Sequence, residues 1–299
     1  LVVMNVNDVD AVASKVDFVF SAVDMTKEEI KAIEEAYAKT ETPVVSNNSA
    51  HRWTKDVPMV VPEINPEHFA IIESQKKRLG TKRGFIAVKP NCSIQSYAPV
   101  LNAWKEFEPE EVVVTTYQAI SGAGKTFKDW PEMEGNIIPF IGGEEEKTER
   151  ECLKILGSVK DGEIVNAAGP AVSSTCTRVP VVDGHTACVN LAFDLPQEKK
   201  PSIEEIARVW KSYRSLPQEL QLPSAPVHPI VLRSEENRPQ PRRDRETEGG
   251  MACVIGRLRP CKVFDVKFVS LSHNTKRGAA LGGILNAELL KAKGFFDAL

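Results

Sequence analysis

The feature that most constrains this chain is a repeated switch, between residues 16 and 88, from short apolar runs to amphipathic stretches of helical period. Residues 16–23 form a run rich in β-branched and aromatic side chains, the composition of a strand covered on both faces. Thr26 then opens a helix. Thr26 and Glu29 have the spacing of a capping box, and Ile30, Ile33, Ala36 and Tyr37 fall on one face. Residues 43–46 read as the next strand, and Pro66 starts another helix with Phe69, Ile72 and Leu79 inward. Residues 85–88 are the strand after it. Strands joined by helical crossovers lie parallel, so this part predicts a Rossmann-like, doubly wound α/β unit. The Gly-rich turn on which a dinucleotide pyrophosphate normally sits does not precede residue 16. The expectation is therefore a unit incomplete at its N-terminus.

Beyond Cys92 the pattern changes. Residues 111–120, 172–182, 186–193, 251–258 and 263–271 read as long strands, with helices near 144–156 and 202–215, the second capped by Ser202 and Glu205. Long strands with few crossovers predict an α+β domain with a large mixed sheet. Residues 275–293 are again helical and are expected to return to the first unit. The expected division is a dinucleotide-binding domain of residues 1–91 and 273–299 and a catalytic and oligomerisation domain of residues 92–272. Each is large enough for its own core.

Composition narrows the partners. A net charge of −3, with 42% hydrophobic and 26% charged residues, gives no bulk reason to expect nucleic acid or a membrane. Six cysteines (92, 152, 176, 188, 253 and 261) without a CxxC pair argue against zinc and against a disulfide framework. No metal is expected, and a reducing cytoplasm fits. The basic run 238–245 reads as an exposed loop.

Several segments carry reactive side chains. Cys92, in Asn91-Cys92-Ser93, stands between a strand and a predicted helix, where unpaired N–H groups and the helix dipole favour a thiolate. A small buried core cysteine is the alternative. His185 follows a Gly turn in Arg178-Val-Pro-Val-Val-Asp-Gly-His185; an imidazole can take a thiol proton, and Arg178, expected on the same strand, offers a fork for a carboxylate. Residues 117–125 end a strand in a small-residue loop that lets a ligand approach the backbone, or that is a plain turn. Arg52 follows a strand end, where α/β sheets bind ligands. Residues 144–147, Glu-Glu-Glu-Lys, equally suit the first turn of a helix.

Taken in order and spacing, PNCS around Cys92, YQAISGAGK around Gln118, EEEK at 144–147, RVPVVDGH ending at His185 and SHNTKRGAALGGILNAELL from 272 resemble the aspartate-β-semialdehyde dehydrogenases. The archaeal and fungal branch is most similar. The resemblance spans essentially the whole chain and implies reduction of 4-phospho-L-aspartate to L-aspartate 4-semialdehyde through a cysteine thioester. That step belongs to the biosynthesis of lysine, methionine and threonine.

Matched residue by residue, the family pattern makes Cys92 the nucleophile, His185 the general base and acid, and Gln118 a holder of the substrate. Arg178 and Glu144 match binders of the amino-acid carboxylate and amine, and Arg52 and Lys147 match phosphate-binding cations. Ser21, Ser121, Gly122 and Asn274 match positions that touch the nicotinamide cofactor. The implied cofactor is NADP, with NAD possible, because no residue of this chain decides between them. The implied partners are a small substrate, phosphate and further copies of the chain, as a homodimer or homotetramer built through the large sheet. The alternatives are reduction of a CoA thioester, as in malonyl-CoA reductases, and an inactive structural fragment. Two departures stand out: Pro99 is expected to kink the helix after Cys92, and Leu281 interrupts a Gly/Ala-rich stretch.

Overall fold

The computed structural model describes residues 2–297. The chain opens with α1 (Val9–Ala13), β1 (Val19–Ser21), α2 (Lys27–Lys39), β2 (Val44–Ser46), α3 (Ile72–Leu79) and β3 (Ile86–Val88). The strands pair in the order β1-β2-β3, all parallel, with Val44 opposite both Val19 and Ile86. The Thr26 capping box that starts α2 is present, with Glu29 N–H donating to Thr26 Oγ1 and Thr26 N–H donating to the Glu29 carboxylate.

The second part contains α4 (Ala98–Asn102), β4 (Pro109–Gln118), α5 (Glu144–Ile155), the hairpin β5 (Ser158–Lys160) and β6 (Glu163–Val165), β7 (Ala171–Arg178) and β8 (His185–Phe193). It continues through α6 (Ile203–Ser212), α7 (Leu216–Glu219), β9 (Ile230–Leu232), α8 (Pro241–Asp244), β10 (Cys253–Pro260), β11 (Val266–Ser272) and α9 (Ala280–Ala292). Its main sheet is mixed, in the order β7-β4-β8-β11-β10-β9. The hairpin and β9 escape sequence reading, because they lie outside the strand–helix alternation that made the equally short β1, β2 and β3 legible.

Three local expectations are corrected. The segment after Cys92 is a single 3₁₀ turn, Ile94–Ser96, followed by the separate α4. Pro99 sits in the first turn of α4, where no intrahelical N–H is needed, so it kinks nothing. The 238–245 run is no simple exposed loop. Asp244 is fully buried and accepts hydrogen bonds from Arg233, Arg238 and the Gln240 amide.

Apolar packing does not divide by sheet. One cluster joins Val44, Ile86 and Val88 of the parallel sheet to Val112, Val189, Leu191 and Phe268 of the mixed sheet, through Tyr97 and Trp104. Trp104 stacks on Trp210 at 4.2 Å between ring centroids. A second cluster sets Leu285, Leu289 and Leu290 of α9 against Val45, Phe69, Phe85 and Ala87. The two units expected to have separate cores thus share one, and the C-terminal helix seals the other face of the parallel sheet. Leu281 packs at the margin of that second cluster.

Candidate active site

Strand register concentrates the reactive side chains at one end of the strands of the mixed sheet. Parallel pairing of β4 with β7 sets Gln118 opposite Arg178. Antiparallel pairing sets Tyr117 of β4 opposite Thr186 of β8, so His185 begins its strand beside the end of β4. Ser272 of β11 pairs with His185, and Asn274 follows two residues later. Arg178 and His185 therefore lie on different strands, flanking β4, rather than on one strand as expected. The turn between them brings Ile120 and Ser121 N–H onto Val181 and Val182 carbonyls.

The cysteine arrives from the other sheet. Past β3, Asn91 organises the loop: its Oδ1 accepts from Ser93 N–H and Oγ–H at 2.7 and 2.8 Å, and its Nδ2 donates to both Glu144 oxygens. The Asn91 N–H donates to Glu151 at 2.6 Å. Cys92 Sγ then stands 3.4 Å from His185 Nε2. At His185 Nδ1 the Ala119 amide donates at 3.1 Å, so the neutral ring carries its proton on Nε2, facing the sulfur. Burial, with help from the Arg178 charge, holds the imidazole down to a pKa of about 3. It is uncharged at neutral pH.

The electrostatics of Cys92 differ from expectation. Burial pushes its thiol up, opposed by Lys89, Arg52 and Arg178. A three-residue 3₁₀ turn supplies too little aligned dipole to outweigh that desolvation.

Around this pair the other expected residues fall into groups. Glu144, the first residue of α5, accepts from Asn91 and Lys147 and lies 3.4 Å from Gln118 Nε2. Arg178 is buried and donates through Nη1 to the Ala119 carbonyl at 2.6 Å. Gly122 presses on the same place. An added Cβ there would lie 2.9 Å from Arg178 Nη1 and 3.0 Å from His185 Cε1. Asn274 accepts from the Gly184 amide and donates to Ser121 Oγ at 2.8 Å, tying the cofactor candidates to the histidine turn.

Arg52 and Lys147 line one pocket of about 210 Å³ with Lys27 and Arg150. Both cations are also paired internally: Arg52 with Glu151, Lys147 with Glu144. Ser21 belongs to a different network, accepting from Asn48, which also donates to the buried Glu34. Among the described residues no contact joins Ser21 to the Cys92–His185 pair, and no cluster of ligands could hold a metal ion. Glu151, which orients both the cysteine loop and Arg52, was missed from the sequence. In the sequence nothing singles it out among the five glutamates of α5.

A cysteine loop from a parallel sheet, closed onto a histidine at the end of an interior strand of a mixed sheet, fits the semialdehyde dehydrogenase class. Two family models agree: "Semialdehyde dehydrogenase, NAD binding domain" matches residues 1–72, and "Semialdehyde dehydrogenase, dimerisation domain" matches residues 98–277. An aspartate-semialdehyde dehydrogenase from Methanothermobacter thermautotrophicus is 44% identical over 92% of this chain and 78% of its own length. The crystal structure of an aspartate-semialdehyde dehydrogenase with NADP from Candida albicans superposes with a TM-score of 0.83 at 39% identity, covering 94% of this chain and 79% of that one. A malonyl-CoA reductase (NADP) from Metallosphaera sedula is 36% identical over 89% of this chain and 74% of its own length. The chain belongs to the aspartate-semialdehyde dehydrogenase family.

Proposed function

We propose that the chain catalyses the NADP-dependent conversion of 4-phospho-L-aspartate to L-aspartate 4-semialdehyde and phosphate. The observation that carries this reading is the 3.4 Å approach of Cys92 Sγ to the Nε2–H of His185, inside a ring of Gln118, Glu144 and Arg178. Cys92 sulfur attacks the acyl carbon, the carbon–oxygen bond to phosphate breaks, and the thiol proton leaves with the phosphate. A thioester remains, so one hard displacement becomes two easier ones. A reduced nicotinamide, when bound, supplies a hydride. Delivered to the thioester carbon, it gives a hemithioacetal oxyanion that expels the Cys92 thiolate and frees the aldehyde.

His185 serves here as a fixed donor. With Nδ1 accepting the Ala119 amide, Nε2–H can hydrogen-bond the sulfur and then the oxyanion, which favours the charged intermediate without transferring a proton. Glu144 and Arg178 present opposite charges suited to an α-amine and an α-carboxylate. Arg52 and Lys147, with Lys27 and Arg150, outnumber Glu146 and Glu151 in the pocket that would take the phosphate dianion. Ser121 and Asn274, bonded to each other next to the glycine backbone of 122 and 278, leave a smooth wall beside Cys92 that suits a flat ring.

The division at residues 91 and 272 is part of this reading, as is a cytoplasmic home. So is assembly through the exposed face of the mixed sheet, consistent with the match to a dimerisation domain. The test is a steady-state assay with aspartate semialdehyde, reading nicotinamide absorbance with NADP or NAD and with phosphate or CoA as acceptor. Turnover that requires phosphate supports the proposal. Turnover that requires CoA instead would show the malonyl-CoA reductase type of chemistry.

A further inference from the structure

Glu151 is fully buried, two helical turns after Glu144 on the same face of α5, and both its oxygens are engaged. Oε1 accepts from Arg52 Nη1 at 3.0 Å, and Oε2 accepts from the Asn91 amide at 2.6 Å. One carboxylate therefore joins a cation of the phosphate pocket to the residue that precedes the nucleophile.

Arg52 closes the same loop from its other side. Its Nε donates to the Lys89 carbonyl at 3.1 Å and its Nη2 to the Asn47 carbonyl at 3.4 Å. The ion pair thus grips the backbone at residues 89 and 91, and Cys92 is the next residue along. Among the described residues, three of the five guanidinium N–H groups are committed to the protein, so two are left for a ligand. A second tie fixes the pair to α5, because Lys154 Nζ donates to the Arg52 carbonyl at 2.6 Å.

Pairing of buried charges is a poor reason by itself to keep this arrangement, since apolar side chains of similar volume often replace a buried ion pair at no cost. Apolar side chains could not hold a backbone amide and a carbonyl beside the thiol. Nor could they line the phosphate pocket, as Arg52 and Glu151 both do.

We propose that Glu151 is a positioning residue that couples the phosphate pocket to the cysteine loop, with Arg52 as the shared strut. This rests on Cys92 being the nucleophile. No bond or proton is exchanged at Glu151. Its side chain governs two separable steps: formation of the thioester on Cys92, which needs the loop in place, and capture of the acyl group by phosphate, which needs Arg52 in place. Arg52 accordingly affects the first step even when phosphate is absent.

Glu151→Gln is the informative change. The amide keeps the size of the carboxylate but offers one oxygen and one NH₂, so whichever way it turns a donor meets a donor, at Arg52 or at Asn91. The experiment mixes semialdehyde and oxidised NADP rapidly with wild type, Glu151→Gln, Arg52→Gln and the double variant, without phosphate and then over a phosphate series. The amplitude of the first turnover counts active sites, and its rate is read per site. Glu151→Gln is expected to slow the first turnover about tenfold and to raise the phosphate KM about tenfold, with the semialdehyde KM within about twofold. Arg52→Gln is expected to slow the phosphate-free first turnover by a similar factor, and the double variant to be no slower than the slower single one. A role in stability alone would lower the amplitude and leave the rate per site and the phosphate KM at wild-type values, which would overturn the proposal. Multiplied losses in the double variant would also overturn it. Should a single variant fail to fold with one buried charge left alone, the neutral double variant decides. A first turnover slowed about tenfold per site supports the coupling, and a wild-type rate overturns it. Failure of the nucleophile reading looks different, because the wild type itself would then show no first-turnover phase.

Discussion

At the scale of single residues, the site works through groups whose charge is suppressed as much as through groups that carry it. His185 is the clearest case. Its folded pKa of about 3 lies below its ordinary value of 6.5, so between those values the unfolded chain binds a proton that the folded chain does not. The stabilisation from keeping it neutral is therefore full above pH 6.5 and is lost as pH falls toward 3. Replacing it with glutamine should flatten the acid limb: the drop in unfolding free energy from pH 6.5 to 4.5 should shrink by roughly 2 kcal/mol relative to wild type. Urea denaturation at the two pH values measures it, and equal drops would show that the imidazole is not held neutral. Cys92, His185, Gln118 and Arg178 were legible in the sequence as residue types in a recognisable order. What the sequence hid was the tautomer. The Ala119 amide that sets it comes from a loop whose path depends on where β4, β7 and β8 end. Gly122 was legible as a small residue, but its reason, close approach to Arg178 and His185, is a tertiary fact.

At the scale of elements, local codes were reliable where one short motif decides the outcome. The capping boxes at Thr26 and Ser202 start α2 and α6 where their spacing requires. Ser202→Ala should cost about 1 kcal/mol, seen as a lower melting temperature with unchanged turnover, because α6 contributes no residue to the site. Loss of turnover in step with stability would instead mean that α6 supports the active loop. Local reading failed where pairing decides. The helix predicted after Cys92 breaks at Tyr97, whose φ of −131° and ψ of −26° separate the 3₁₀ turn from α4. The three-residue strand β9 exists only because β10 offers it a parallel partner. Likewise, α5 reads from sequence as a helix with an acidic start. Its further task, satisfying the outer edge of β7 through Glu145 and Glu149, appears only once the strand is placed.

At the scale of the whole molecule, the site exists because two sheets share a core. The cluster running from Val44 and Val88 to Val189 and Phe268 fixes the cysteine loop against the strand end that carries His185. Alternation along β4 leaves Val113 and Tyr117 on the opposite, more open face, the surface proposed for a second copy. Val113→Glu should shift the protein toward monomer in sedimentation velocity, since a carboxylate buried between apolar faces lacks a partner. An unchanged sedimentation coefficient would place the assembly surface elsewhere. Alternating strands made this face legible as half-exposed, but nothing in one chain's sequence says what covers it.

The central claim is that Cys92 carries the acyl group between the two half-reactions. Rapid mixing of the protein with aspartate semialdehyde and oxidised NADP, in the absence of phosphate, tests it most directly. The account predicts a burst of reduced cofactor equal to the concentration of active sites, then a stall that ends when phosphate is added, and no burst in Cys92→Ala. A burst that survives in Cys92→Ala, or steady turnover without phosphate, would contradict it.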